Sequence, residues 1–265
     1  MGTLSPLLTV MVDVAGRAGR KLNRDFRDVE HLQYSKKGPA DFVTMADHKS
    51  EEIIYDRLMT ARPGYGFLME ERGIVEGSDR SHRWIVDPLD GTTNYLHGMP
   101  HFAVSIALER EGELVAGVVY NPATDEMFQA EKGRGAWLAD RRLRVAGRSQ
   151  LDEAVFATGM PFVGKTGHAR YLKELHQVMP RTAGIRRMGA ASLDLAWVAA
   201  GRFDGFWERD LKPWDVAAGI LLVREAGGYI ADIDGGQDVL SSGNIAAGNE
   251  SMLAQLLERL KVAAT

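Results

Sequence analysis

The sequence contains no cysteine. Disulfides and cysteine-ligated zinc are therefore excluded, and the chain suits a reducing compartment, so a cytoplasmic location is expected. Long apolar runs are also missing: near the N-terminus, Leu7 to Val14 is interrupted by Thr9 and Asp13, and no basic start precedes it. Neither a signal peptide nor a membrane partner is expected. There is no excess of positive charge, with 32 Lys and Arg against 36 Asp and Glu, a net charge of −4 and a pI near 6.0. Such a balance gives no global attraction to nucleic acid or to an acidic membrane. G-x-S-x-G is absent, which removes a serine-hydrolase reading. Gly133-Arg134-Gly135 is no dinucleotide fingerprint, because Leu138 stands where the third glycine belongs. The chain shows no internal repeat and no low-complexity tract.

What is present is ordinary for a soluble globular protein: 45% hydrophobic and 26% charged residues over 265 positions. That length can bury a large core as one domain or as two closely packed halves. Ser5-Pro6 reads as a helix start, with Leu7, Leu8, Met11, Val14, Ala15, Ala18 and Leu22 at helical spacing. Arg17, Arg20, Lys21, Arg24 and Arg27 crowd the other side. This basic face suggests RNA or an acidic partner, while its plainer reading is a solvated surface. A turn over residues 36–41 leads into a second helix through Ile53, Ile54 and Leu58, which Arg62-Pro63-Gly64 ends. Residues 66–69 read as a strand that delivers Glu70-Glu71.

Residues 102–108 alternate large with small, as a strand with one face on a core does. Segments 114–120, 127–130 and 136–138 continue as hairpins, which predicts an antiparallel sheet with helices at its side. Residues 147–152 form a seam that divides the chain into halves 1–148 and 149–265. Beyond it, strands are expected at 154–158, 203–207, 229–232 and 245–247 and an extended stretch at 185–188. Helices are expected at 167–179, 190–200 and 214–226 and from Ser251 onward. The second half should therefore hold a mixed sheet.

The most informative stretch is Trp84-Ile85-Val86-Asp87-Pro88-Leu89-Asp90-Gly91-Thr92-Thr93-Asn94. It opens as a buried strand and places two carboxylates three residues apart around a proline, which fixes its own φ and extends Asp87. Gly91 permits a tight turn, and Thr92, Thr93 and Asn94 are residues that start helices. Paired acids beside free backbone N–H groups suit divalent cations on one side and a phosphate on the other. The plain reading is an acidic turn with Asp90 as a cap. A second segment, Pro213-Trp214-Asp215-Val216-Ala217-Ala218-Gly219, puts Asp215 near a helix start, where alone it is a cap-region acid. Asp47 likewise sits in the first turn of the second helix, where an acid meets the helix dipole.

D-P-L-D-G-T-T-N resembles the signature of the inositol monophosphatase family, magnesium-dependent phosphatases that share a superfamily with fructose-1,6-bisphosphatase. W-D-x-A-A-G resembles the family's second signature. The likeness runs from Asp41-Phe42-Val43-Thr44 through Glu70-Glu71 and Gly189-Ala190-Ala191-Ser192 to Gly248-Asn249, and is strongest with bacterial inositol-1-monophosphatases. Met69 departs from it, since relatives often have Gly before the paired glutamates. The resemblance implies an α/β fold, a layered alpha-beta-alpha-beta-alpha sandwich, and a homodimer. It implies a Mg2+-dependent phosphomonoester hydrolase acting on a small phosphorylated polyol by in-line attack of a metal-activated water.

Carried over by residue, it makes Glu70, Asp87 and the Leu89 carbonyl oxygen ligands of one Mg2+. Asp87, Asp90 and Asp215 hold a second, and a third, weaker ion lies near Glu70, with Mn2+ as a substitute. Asp47 and Thr92 orient and deprotonate the attacking water, with Glu70 also catalytic. Gly91 and Thr92 N–H groups bind phosphate, Gly189 and Ala191 let the ring approach, and Asp90 and Glu208 take its hydroxyls. His97 and His101 are four apart, but Pro100 argues against a helical zinc pair, leaving them as loop residues with at most a minor substrate contact. Inositol 1-phosphate is the expected substrate. Fructose-1,6-bisphosphatase, histidinol-phosphate phosphatase and bisphosphate nucleotidase activities are the alternatives, with RNA or transcription-complex binding as an additional role.

Overall fold

Helix α1 (Pro6–Phe26) starts where Ser5 caps it: the Leu8 N–H donates to Ser5 Oγ at 3.1 Å, and Pro6 takes the first helical position. The computed structural model describes residues 4–28, 34–38 and 41–264. Leu8, Met11, Val14, Ala15, Ala18 and Leu22 form the buried face of α1. On its outer face Arg17 pairs with Asp13 at 2.7 Å and Lys21 with Asp25, so part of the basic charge is neutralised within the helix.

Strands β1 (Tyr34–Gly38) and β2 (Asp41–Thr44) pair antiparallel. The turn expected over 36–41 is thus narrower, because extended backbone continues through Gly38. Its tip, Pro39 and Ala40, lies outside the described residues. Thr44 caps helix α2 (Met45–Ala61).

The first sheet contains β3 (Tyr65–Met69), β4 (Gly73–Val75), β5 (Asp79–Asp90), β6 (Ala103–Arg110), β7 (Glu113–Asn121), β8 (Glu126–Glu131), β9 (Gly135–Leu138) and β10 (Arg141–Arg142). Helix α3 (Thr92–Leu96) stands between β5 and β6. The strand order is β10-β9-β8-β7-β6-β5-β3-β4, antiparallel except for β3 beside β5. The second sheet contains β11 (Val155–Thr158), β12 (Gly184–Arg186), β13 (Gly205–Glu208), β14 (Tyr229–Asp232) and β15 (Ile245–Gly248). Its order is β12-β11-β13-β15-β14, with β11 parallel to both neighbours and the remaining pairs antiparallel, so it is mixed. The remaining helices are α4 (His168–Val178), α5 (Ala191–Ala199), α6 (Pro213–Glu225), α7 (Val239–Ser242) and α8 (Glu250–Ala264).

Three apolar clusters define the layers. The first packs α1 and α2 on one face of the large sheet, through Trp84, Val86, Val104, Ile106 and Leu108. The second fills the space between the sheets with α5 and α6, drawing Ile85, Ala103 and Ala107 from one sheet and Phe206 and Ala247 from the other. The third seats α4 and α8 on the outer face of the small sheet, around Phe156, Trp207 and Leu256. The result is helix, sheet, helix, sheet, helix.

Strand β6 is buried on both faces rather than one: positions 103–107 are 0–1% exposed. Its large residues meet α1 and α2, and its small ones let α6 come close. A β-carbon on Gly117 of the adjacent strand would stand 3.1 Å from Ala218 Cα. The large sheet uses only residues 65–142 and the small one only 155–248, while the cluster between them takes side chains from both. Among the described residues no helix is long and apolar enough to cross a membrane.

Candidate active site

Residues of β5 alternate between faces: Trp84 and Val86 toward α1 and α2, Ile85 toward α5 and α6. Unbroken alternation would send Asp87 and Asp90 to opposite faces. Pro88 lacks an N–H for the ladder, and the pairing slips there: Asp87 faces Ser105 and Asp90 faces Ala103. This bulge brings both carboxylates to one side. Ser50 of α2 holds it by donating Oγ to the Pro88 carbonyl at 2.7 Å. Asp87 Oδ1 accepts from Leu89 N at 2.9 Å, and Asp90 Oδ2 accepts from Ser192 N at 2.8 Å and Ser192 Oγ at 2.5 Å.

Parallel pairing of β3 with β5 sets Met69 opposite Val86, so Glu70 emerges beside Asp87. The Glu70 N–H donates to the Val86 carbonyl at 3.2 Å. Met69, the departure from the expected Gly, is fully buried in the core under α1 and α2 and anchors the strand there. The loop beyond it is gripped by Glu51, whose Oε2 accepts from Glu71 N at 2.9 Å and Arg72 N at 3.2 Å. Asp215 arrives on the first turn of α6, with Pro213 starting the helix and Asp215 Oδ2 accepting from Lys212 N at 2.7 Å. Ser105 Oγ donates to the Trp214 carbonyl at 3.2 Å, tying that turn to β6.

These acids feel one another. Burial first, then the charges of Glu70, Asp90 and Asp215, push the Asp87 carboxyl well above its usual range. Asp215 is raised by burial, Asp90, Glu70 and Glu208, and Asp90 chiefly by burial. Among the described residues no lysine or arginine forms an ion pair with Asp87, Asp90 or Asp215, and no three acidic or imidazole side chains are drawn into a closed cage. The carboxylates are spread onto backbone and hydroxyl donors instead. Hard oxygen donors with uncompensated negative charge are the chemistry of a divalent-cation site, and the residues fit one. The Leu89 carbonyl faces the same corner, accepting from Thr92 Oγ1 at 3.0 Å.

Thr92 Oγ1 also lies 3.1 Å from Asp47 Oδ1. The other Asp47 oxygen accepts from Thr44 N at 2.8 Å and Thr44 Oγ1 at 2.7 Å, a capping box that orients the side chain. Asp47 is 1% exposed, and burial raises its pKa to about 6 against the opposing hydrogen bonds. Gly91 has φ 88°, and a β-carbon there would stand 3.0 Å from the His101 carbonyl oxygen. Helix α3 spans five residues, so what it presents is local N–H groups rather than a summed dipole.

A cavity of about 540 Å³ opens from Glu70 and Asp215. Glu208, Tyr171, Trp214 and Lys165 line it further out. Burial and the charge of Asp194 raise the Glu208 pKa to about 8, opposed by Arg187. Gly189 has φ 88° beneath the Arg187 guanidinium, and Ala191 opens α5 beside Ser192. His97 is exposed, while His101 is buried edge-on against Trp197 at 5.2 Å. Its Nε2 is 3.5 Å from Asp194 Oδ1.

The fold thus sets Glu70, Asp215 and Glu208 on the cavity wall, brings Asp87 and Asp90 within range of the charges of Glu70 and Asp215, and links Leu89 to Asp47 through Thr92. Ser50, Glu51, Ser105 and Asp194 escaped the sequence reading, and Ser192 entered it only as part of Gly189-Ala190-Ala191-Ser192, with no role. Each acts across 20 to 109 positions or by burial alone, and apart from Glu51 no local pattern marks them. Only Glu51, on the inward side of a predicted helix, gave a signal, as an acid where an apolar residue was due.

Comparison with known proteins gives a consistent picture. The profile of the inositol monophosphatase family matches residues 3–263. The chain is 61% identical to the inositol-1-monophosphatase of Mesorhizobium japonicum over 257 residues, covering 97% of each. It is 42% identical to Nus factor SuhB of Escherichia coli over 258 residues, again covering 97% of each. Its structure matches the crystal structure of extragenic suppressor protein suhB from Bartonella henselae with a TM-score of 0.95 at 57% identity, over 97% of this chain and 99% of that one.

Proposed function

The chain belongs to the inositol monophosphatase family and is a metal-dependent phosphatase; from that premise we propose that it is Mg2+-dependent and hydrolyses the phosphomonoester of a small polyol, inositol 1-phosphate first among them. The observation that carries the reading is the Asp87 carboxyl, raised by burial and then by the charges of Glu70, Asp90 and Asp215, two of which, Glu70 and Asp215, line a cavity.

In this reading Glu70, Asp87, the Leu89 carbonyl, Asp90 and Asp215 hold two or three Mg2+, for which Mn2+ can substitute. Bound there, the cation supplies a water of lowered pKa and offsets charge on the departing oxygen. The protein's own groups do the rest. Thr92 Oγ1, held by Asp47, points the nucleophilic water, and Asp47 takes its proton. N–H groups of Gly91 and Thr92 bind phosphate oxygens. Asp90 and Glu208 take hydroxyls of the ring, which Gly189 and Ala191 admit close to the backbone. The half 1–148 carries most of the cation ligands, and 149–265 carries Asp215 and the ring contacts. We place the protein in the cytoplasm as a homodimer, which sedimentation velocity would contradict by finding a monomer.

Initial rates on myo-inositol 1-phosphate, fructose 1,6-bisphosphate, histidinol phosphate and an adenosine bisphosphate, each with and without Mg2+, test the reading. Inositol 1-phosphate is expected to give the highest kcat/KM, with phosphate release falling to background under chelation. Release that survives chelation contradicts the proposal, and another preferred substrate replaces its specific half.

A second reading is favoured by the relatives named Nus factor SuhB: an additional association with the transcription machinery. The basic face of α1 is the surface it would use. Absence of RNA binding at low salt would leave that face to solvent.

A further inference from the structure

Strands β11 and β13 run parallel, with Ala157 opposite Phe206 and Thr158 opposite Trp207. The next two residues, Gly159 and Glu208, therefore stand side by side at the C-terminal ends of the strands, and both line the cavity. A β-carbon on Gly159 would fall 1.8 Å from Glu208 Cδ and Oε1 and 2.1 Å from Oε2. The carboxyl occupies the space in which any side chain at 159 would begin. Gly159 is not among the glycines with positive φ, so its backbone would accept any L residue. What requires glycine here is Glu208, not a turn.

Among the described residues no side-chain or backbone hydrogen bond fixes the Glu208 carboxyl; burial and charge act on it, with Asp194 and Asp90 repelling it and Arg187 and Lys165 attracting it. Contact with the bare backbone at 159 is what keeps it lying across the strand ends. Thr158 Oγ1 donates to the Gly159 carbonyl at 3.0 Å and steadies that backbone.

We propose that Gly159 is a specificity-determining position: by leaving its side-chain space empty, it seats the Glu208 carboxyl facing the cavity, where that carboxyl takes a hydroxyl of the polyol. The inference rests on the reading of Glu208 given above. A methyl at 159 pushes the carboxyl aside, which costs polyol recognition and leaves the phosphate end untouched. The displaced group is the far end of a flexible side chain, so the fold should not suffer.

The test is steady-state kinetics of the wild type, Gly159→Ala, Glu208→Ala and the double variant Gly159→Ala/Glu208→Asp. Each is assayed with Mg2+ on inositol 1-phosphate and on p-nitrophenyl phosphate, which has no hydroxyl to recognise. Gly159→Ala is expected to raise KM for inositol 1-phosphate by about tenfold or more, as loss of a built hydroxyl contact does. Its kcat/KM on p-nitrophenyl phosphate should stay within about twofold of wild type, with an unchanged melting temperature. The double variant, whose carboxyl is one methylene shorter, should recover part of the lost selectivity. Wild-type KM in Gly159→Ala, equal losses on both substrates, or no recovery in the double variant overturns the proposal. If Glu208→Ala itself leaves inositol phosphate kinetics unchanged, the reading of Glu208 fails instead.

Discussion

Replacing Asp87 with Asn lowers phosphate release by about three orders of magnitude or more, roughly 4 kcal/mol of lost transition-state stabilisation. The substitution keeps shape and removes charge. Asp87 is 2% exposed, and its Oδ1 still accepts from Leu89 N, so the bulge at Pro88 persists. What disappears is the carboxylate that couples to Glu70, Asp90 and Asp215 at once. In the absence of Mg2+ stability should rise rather than fall, because a carboxylate disfavoured by burial and by its acidic neighbours has been neutralised. A rate assay beside a thermal melt checks both signs. Activity within tenfold of wild type would mean that the four acids do not form one unit.

Asp47→Asn should cost about 10²- to 10⁴-fold in kcat, the usual worth of a positioned proton acceptor. Asn preserves the volume and can still meet Thr44, so the capping box is perturbed less than the chemistry. The pH profile supplies the sign. Burial lifts the Asp47 pKa to about 6, so the carboxyl keeps its proton to higher pH than a surface aspartate does. It can accept a proton only once ionised, so wild-type kcat falls as pH drops through about 6. Bound cations move that limb to lower pH. The limb should be missing from Asp47→Asn, whose small residual rate no longer depends on this group. An unchanged acid limb in the variant would assign it to another residue.

The parts of the site that lie within one short stretch could be read from the sequence, and those assembled across the chain could not. Asp87, Pro88, Asp90 and Gly91 sit within five positions, and a proline between two acids already hints at a bent strand end. The slip in pairing that turns both acids to one face is a property of β5 against β6, visible only when both are present. Asp90 and Ser192 meet across 102 positions, and Glu51 caps the loop after β3 across 20. The first leaves no periodic trace in the sequence, and the second only an acid where an apolar residue was due. The tie between Gly159 and Glu208 arises only when β11 and β13 set the two side by side.

The layers followed the same rule. Helices α1, α5 and α6 were legible because their apolar positions repeat or run unbroken. Strand β6 was read as half-buried, since large and small residues alternate along it. Both faces are in fact covered, and alternation there encodes how close each helix layer comes, not exposure. Hairpins such as β3 with β4, three paired positions long, are too short to carry a pattern.

Diffraction from crystals grown with Mn2+ tests the central claim most directly, because the anomalous signal reports the ion's position without reference to activity. The account predicts peaks enclosed by the carboxylates of Glu70, Asp87, Asp90 and Asp215 and by the Leu89 carbonyl oxygen, at coordination distances of about 2.0–2.3 Å. Peaks elsewhere on the protein, or none in that corner under conditions where Mn2+ supports turnover, would contradict it.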